Sequence, residues 1–135
     1  MKELCKMING ANFDKHAEVV IAPPSVYIQD VRHMVRDDVA VAAQNVSKDG
    51  QGAFTGEVAP GMLADIGAEW TIVGHSERRA MGEADDVVAE KAKKAIADGI
   101  KVIGCIGESL EERESGKMME VLERQMMAYI DVLNG

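Results

Sequence analysis

The chain has 135 residues, 47% of them hydrophobic, and a formal net charge of −8, which bounds it to one small globular domain. The acidic balance excludes a nucleic-acid-binding face, which needs clustered cations, while leaving room for a local positive field around a small anion. No apolar run approaches a membrane span, Met1-Lys2-Glu3-Leu4-Cys5 lacks a signal peptide's apolar core, and Cys5 and Cys105 have no metal-ligand spacing, so a reducing cytoplasmic setting with no metal and no membrane partner is expected.

In chain order, Leu4, Met7 and Ile8 open on a helical spacing. A first β-branched run, Val19 to Ala22, is followed by Pro23-Pro24 and by Ser25, a candidate cap for a helix whose apolar face uses Tyr27, Val31, Met34 and Val35. The second run is Val39 to Ala43. Gly52 to Glu57 then reads as an exposed loop, and Pro60 suits the first turn of a short helix carrying Leu63 and Ile66, closed by Gly67. Trp70 to Val73 forms the third run. Val88, Ala92, Ala95 and Ile96 share one face of a helix that Gly99 can stop, and Lys101 to Ile106 is the fourth run. A longer stripe of Met118, Val121, Leu122, Met126, Tyr129, Ile130 and Leu133 ends at the stop signal Asn134-Gly135. The nine methionines read as flexible core filler rather than as a ligand groove. Strand and helix alternate, so the strands are expected to be parallel and joined by helical crossovers, with no linker or internal boundary.

The third run delivers the most reactive segment. Trp70-Thr71-Ile72-Val73 passes through Gly74 into His75-Ser76-Glu77-Arg78-Arg79. A histidine at the carboxyl end of a buried strand, beside fixed positive charge, is placed to polarise an anionic substrate. The same residue equally suits a strand-end histidine tied to a neighbouring backbone group.

Gly74-His75-Ser76-Glu77-Arg78-Arg79 resembles the signature around the electrophilic histidine of the triosephosphate isomerase family, and other segments agree in order. Val20-Ile21-Ala22-Pro23-Pro24-Ser25 resembles the end of that family's second strand, and Ala42-Ala43-Gln44-Asn45-Val46 the end of its third. Gly52-Ala53-Phe54-Thr55-Gly56-Glu57 resembles the loop that follows, and Cys105-Ile106-Gly107-Glu108 with Glu112-Arg113-Glu114-Ser115-Gly116 its fifth strand and the helix beyond. The resemblance implies an α/β fold of the TIM (β/α)8 barrel family, with residues 1–135 as a single incomplete barrel domain of about four parallel strands and their helices. It implies interconversion of dihydroxyacetone phosphate and glyceraldehyde 3-phosphate through an enediol, in glycolysis and gluconeogenesis, with no cofactor.

By that resemblance His75 is the catalytic donor to the carbonyl oxygen. The histidine of that family is the standard example of a neutral imidazole electrophile at a helix N-terminus, working opposite a separate glutamate base, and the polar residues after His75 suit such a helix. Ser76 and Glu77 take supporting roles, although Glu77 equally suits an ion pair with Arg78 or Arg79. Gln44, Asn45, Thr55, Glu57 and Arg78 fall at the interface of the family's homodimer, an isologous contact in which Thr55 approaches the partner's site. Glu108 resembles an acid that supports a hinge. Two departures stand out: only Ala80 and Met81 separate Arg79 from Gly82, one residue fewer than expected, and Met118 stands where threonine is common.

The family's catalytic lysine, in an Asn-x-Lys segment ending the first strand, would precede Met1, since Asn9-Gly10 follows helical residues rather than a strand. The glutamate base, the lid and the phosphate loops would follow Gly135. Loss of a general base alone costs roughly 10²–10⁴-fold in rate, so the isolated chain is expected to be inactive. Four strands would leave two open edges and an uncovered inner face, hence marginal stability or pairing with another chain. A rival reading is a truncated, non-catalytic module that binds a dimer or completes a barrel. Another phosphate-binding barrel enzyme is disfavoured by the two specific motifs together.

Overall fold

Every β-branched run becomes a strand. In the computed structural model, which describes residues 1–133, β1 (Val19–Ile21), β2 (Val39–Ala43), β3 (Trp70–Val73) and β4 (Lys101–Gly104) lie in that order in one sheet. All pairings are parallel, with Val19 opposite Val39, Ala42 opposite Trp70, and Val73 opposite Gly104. The helices are α1 (Lys2–Gly10), α2 (Ile28–Met34), α3 (Pro60–Asp65), α4 (Ser76–Ala80), α5 (Asp85–Ala97), α6 (Leu110–Glu114) and α7 (Met118–Leu133). The architecture is α/β, four parallel strands with flanking helices, as in a partial (β/α)8 barrel.

Side chains alternate across the sheet. Val39, Val41, Ala43 and Val73 enter one core with Ile28 and Val31 of α2, Leu63 of α3, and Val88, Ala92 and Ala95 of α5. By alternation Ala40, Ala42, Trp70, Ile72, Lys101 and Ile103 line the opposite, inner face. There Lys101 Nζ lies 4.9 Å from the Trp70 ring centroid and 3.4 Å from Glu18 Oε1, so groups beside the first and last strands meet over the two between them.

Several expectations are corrected. β1 stops at Ile21 rather than Ala22, because the Ala22 carbonyl accepts the Gln44 side-chain amide at 3.0 Å. β4 stops at Gly104 rather than Ile106. Cys105 N–H still reaches Val73 O at 2.9 Å, but Gln125 then holds both backbone groups of Gly107 and draws the chain off the ladder. Ser25 caps nothing: it begins a 3₁₀ turn, Ser25–Tyr27, before α2. That turn rotates Tyr27 outward and brings Ile28 into the core in its place. On α5, Ile96 faces solvent while Ala89 and Lys91 are buried. On α7 the buried line is Val121, Gln125 and Tyr129, at i,i+4 spacing, and Met126 and Ile130 are exposed. Leu4 and Met7 of α1 are likewise exposed, while Cys5 is buried. Pro60 at the start of α3 and Gly67 at φ +79 after it behave as expected. The stop signal Asn134-Gly135 lies outside the described residues.

Candidate functional site

The carboxyl ends of β1, β2 and β3 surround a cavity of about 590 Å³, lined among others by Ala22, Gln44, Asn45, His75, Glu77 and Arg78. Glu57 also lines it, whereas Thr55 lies on the exposed loop beyond and Ser76 points to solvent. Six residues singled out from the sequence thus converge: Gln44, Asn45, Glu57, His75, Glu77 and Arg78. Thr55 and Ser76 stand apart.

His75 is the N-cap of α4, with φ −54 and ψ 144, and its side chain is 46% exposed. Its Nδ1 accepts the backbone N–H of Glu77 at 3.3 Å. A ring nitrogen that accepts carries no proton, so a neutral imidazole here holds its hydrogen on Nε2. The backbone contact that ties this histidine down also sets the tautomer with a hydrogen to donate, so the two sequence readings are compatible. Glu77 Oε2 lies 3.7 Å from the same Nδ1 and is otherwise solvent-exposed.

Glu77 pairs with neither arginine. Arg78 donates to Glu83 Oε1 through Nε at 2.7 Å, and Arg79 pairs with Asp85. Lys91 also donates to Glu83, and to Asn45 Oδ1 at 3.0 Å. Its side chain is only 7% exposed and that of Glu83 11%, so Glu83 and Lys91 form a nearly dry pair that joins Arg78 and Asn45 at the cavity wall. Burial opposes the charge on Glu83, but the hydrogen bonds from Arg78 and Lys91 outweigh it and hold its carboxyl below the usual range. Its second oxygen, Oε2, is buried with no hydrogen-bond partner among the described residues.

A second network closes the far side of β3. Arg79 Nε donates to Gly74 O at 2.8 Å and Nη2 to Cys105 O at 3.2 Å, and Arg124 Nε reaches Asp85 Oδ2 at 2.8 Å. Burial opposes the Asp85 charge too, and is outweighed by hydrogen bonds from Arg124 and Arg79. The Tyr129 hydroxyl approaches Val73 O at 3.3 Å and Cys105 O at 3.2 Å, and burial pushes its phenol pKa up.

The sequence reading missed Glu83, Lys91, Asp85, Arg124 and Gln125. Lys91 carried a usable signal, since it sits three residues after Val88 and four before Ala95 on the apolar face of α5. A lysine inside such a stripe asks for a buried partner. The helical spacing places Tyr129 in the core and names no partner for it, although a buried phenol also needs one. The missing residue between Arg79 and Gly82 costs nothing visible: Met81 and Gly82 turn at the surface, with Gly82 at φ +101, and Glu83 still reaches Arg78.

Glu108, just before α6, lies 3.3 Å from Arg113 in the last turn of that helix. Cys5 and Cys105 are free thiols. Among the described residues no three His, Cys, Asp or Glu side chains group as metal ligands, and no helix is long and apolar enough to cross a membrane.

The family described as triosephosphate isomerase matches residues 1–135. A triosephosphate isomerase of Emericella nidulans is 47% identical over 126 residues, which cover 93% of this chain and 51% of that protein. The chain thus spans about half the length of the curated relative it matches.

Proposed function

This chain belongs to the triosephosphate isomerase family, and from that premise we propose that it supplies the carbonyl-polarising half of a site that interconverts dihydroxyacetone phosphate and glyceraldehyde 3-phosphate. The reaction moves a proton from a hydroxyl-bearing carbon to the neighbouring carbonyl carbon, while a second proton passes between their oxygens. It needs a donor to the oxygen on which negative charge develops, a carboxylate base, and positive charge for the phosphate. His75 is the donor. The observation that carries this reading is the Nδ1 contact with Glu77 N–H, which leaves the proton on Nε2 of a residue lining the cavity. A neutral imidazole can give its Nε2 proton to one oxygen of the enediolate and take a proton from the hydroxyl on the other, which keeps the enediol steps balanced.

Glu77, next to the imidazole, supports proton movement, and Ser76 opens the helix that follows. The base and the cationic lysine belong to segments other than these 135 residues. The natural protein is a cytoplasmic homodimer without cofactor, whose interface takes Gln44, Asn45, Thr55, Glu57 and Arg78. Lys91 fixes the Asn45 side chain from behind.

In the natural protein that carries this sequence, His75→Gln should lower kcat by about 100-fold or more, read in a coupled dehydrogenase assay. Unchanged turnover would remove His75 from the chemistry. The 135 residues assayed by themselves should isomerise nothing above background, and ordinary turnover by them would refute this division of labour. A non-catalytic, barrel-completing role is the second reading, favoured by the exposed Ile106, Met126 and Ile130 beside the open edge at β4. It would be the better one if the purified chain restored activity to a preparation lacking these strands while His75→Gln restored it equally.

A further inference from the structure

Building on the role of His75 above, we infer that Tyr129 and Arg79 are positioning residues, which lock Gly74 and the mouths of β3 and β4 and so fix where the His75 imidazole sits. The reasoning starts from the end of the ladder. The bond from Cys105 N–H to Val73 O, 2.9 Å, lies just beyond the last β3–β4 pair, Val73 with Gly104. The carbonyls of Gly74 and Cys105 lie past that pair, and backbone acceptors at a buried strand end require partners from elsewhere. Arg79 serves both, through Nε at 2.8 Å and Nη2 at 3.2 Å. Tyr129 brings one hydroxyl proton to Cys105 O and Val73 O, at 3.2 and 3.3 Å, tying the two strands together. Arg79 is itself held by Asp85, which Arg124 grips from α7.

The same groups cage Gly74. It adopts φ +71, and a Cβ there would meet Val88 Cγ1 at 2.6 Å, the Tyr129 hydroxyl at 2.7 Å and Arg79 Nη2 at 3.0 Å. Side chains from α4, α5 and α7 therefore close on this glycine and leave no room for a side chain there, and His75 is the next residue. A rotation at Gly74 swings the imidazole as a whole, and a misplacement of about 1 Å at a reacting group can cost 10²-fold in rate. Neither Tyr129 nor Arg79 lines the cavity, so both act through the backbone.

The test is Tyr129→Phe in the natural protein, which keeps the ring and its packing and removes the shared proton. We expect kcat for dihydroxyacetone phosphate to fall about 10-fold with KM held within about two-fold. Hydrogen exchange at the Cys105 amide should rise in parallel. A kcat within two-fold of the unaltered protein overturns the proposal. So does an equal fall in Val121→Ala, which loosens α7 without touching the carbonyls. His75→Gln separates the two ideas. If it is inactive while Tyr129→Phe is normal, only the positioning role fails; if His75→Gln is fully active, the role of His75 fails and takes the positioning role with it.

Discussion

β2 and β4 are both short parallel strands, yet every residue of β2 is buried and β4 is mostly open. β2 has a strand on each side, helix α2 packed against it and Leu63 of α3 in the same core, whereas β4 has β3 alone as its strand partner. Val102, the one side chain of β4 that packs on the helix-side core, lies on the same face as Val73. The contrast teaches that burial along this sheet is decided by how many neighbours a strand has. Val-Ala-Val-Ala-Ala and Lys-Val-Ile-Gly are both competent strands. The polar interior follows the same division. Lys91 and Glu83 lie at the well-packed side, where a lost partner is costly, whereas Met119, Met126 and Met127 stand exposed on α7, beyond the open edge.

The largest effect should come from breaking that polar interior. Glu83→Leu strands the buried Lys91 ammonium, and about 4 kcal/mol of unfolding free energy should disappear in urea titrations. Adding Lys91→Met should return much of it, because the uncompensated charge goes with it. A loss under about 1 kcal/mol in the single variant would mean that water reaches Lys91 freely.

Acid should act on the same group. The folded-state pKa of Glu83 is depressed, so its contribution is complete above the ordinary glutamate value of 4.5, and it is lost as the pH falls through the lower folded value. Glu83→Gln should flatten that acid limb; an unaltered limb would assign it to Asp85, which is shifted the same way.

Packing variants sharpen the comparison between the strands. Leu63→Ala, beneath β2 and fully buried, should cost about 3 kcal/mol. Ile103→Ala on the inner face of β4 should cost about 1 kcal/mol in this chain, because that side chain is 36% exposed. Equal losses at the two sites would show that the inner face is covered in solution. Met119→Glu, on exposed α7, should change stability by no more than about 0.5 kcal/mol.

Much of the fold was legible because both periodicities were strong. The four β-branched runs became four strands, and Val88, Ala92 and Ala95 marked the buried face of α5. The boundaries were less legible. Ala22 leaves β1 because the side chain of Gln44, more than twenty positions away, takes its carbonyl, and β4 ends where Gln125 captures Gly107. Tyr27 and Ile28 exchange roles because a 3₁₀ turn advances each residue by about 120° rather than 100°. At the site, His75 with its following helix could be read from the segment itself. The partners of the two arginines could not: Glu77 was adjacent in sequence, but Arg78 and Arg79 reach forward to Glu83 and Asp85.

By itself, then, the sequence determined the alternation of strand and helix and the placing of a histidine at a strand mouth. Both follow from short-range steric and hydrophobic periodicity within a few residues. Only the tertiary structure decided which polar groups lie beyond water's reach and which partner each takes. Such pairings depend on desolvation and on distances across helices far apart in the chain, which no local pattern encodes. Arg79, Asp85, Arg124 and Tyr129 meet around Gly74 for that reason, although fifty positions divide Arg79 from Tyr129.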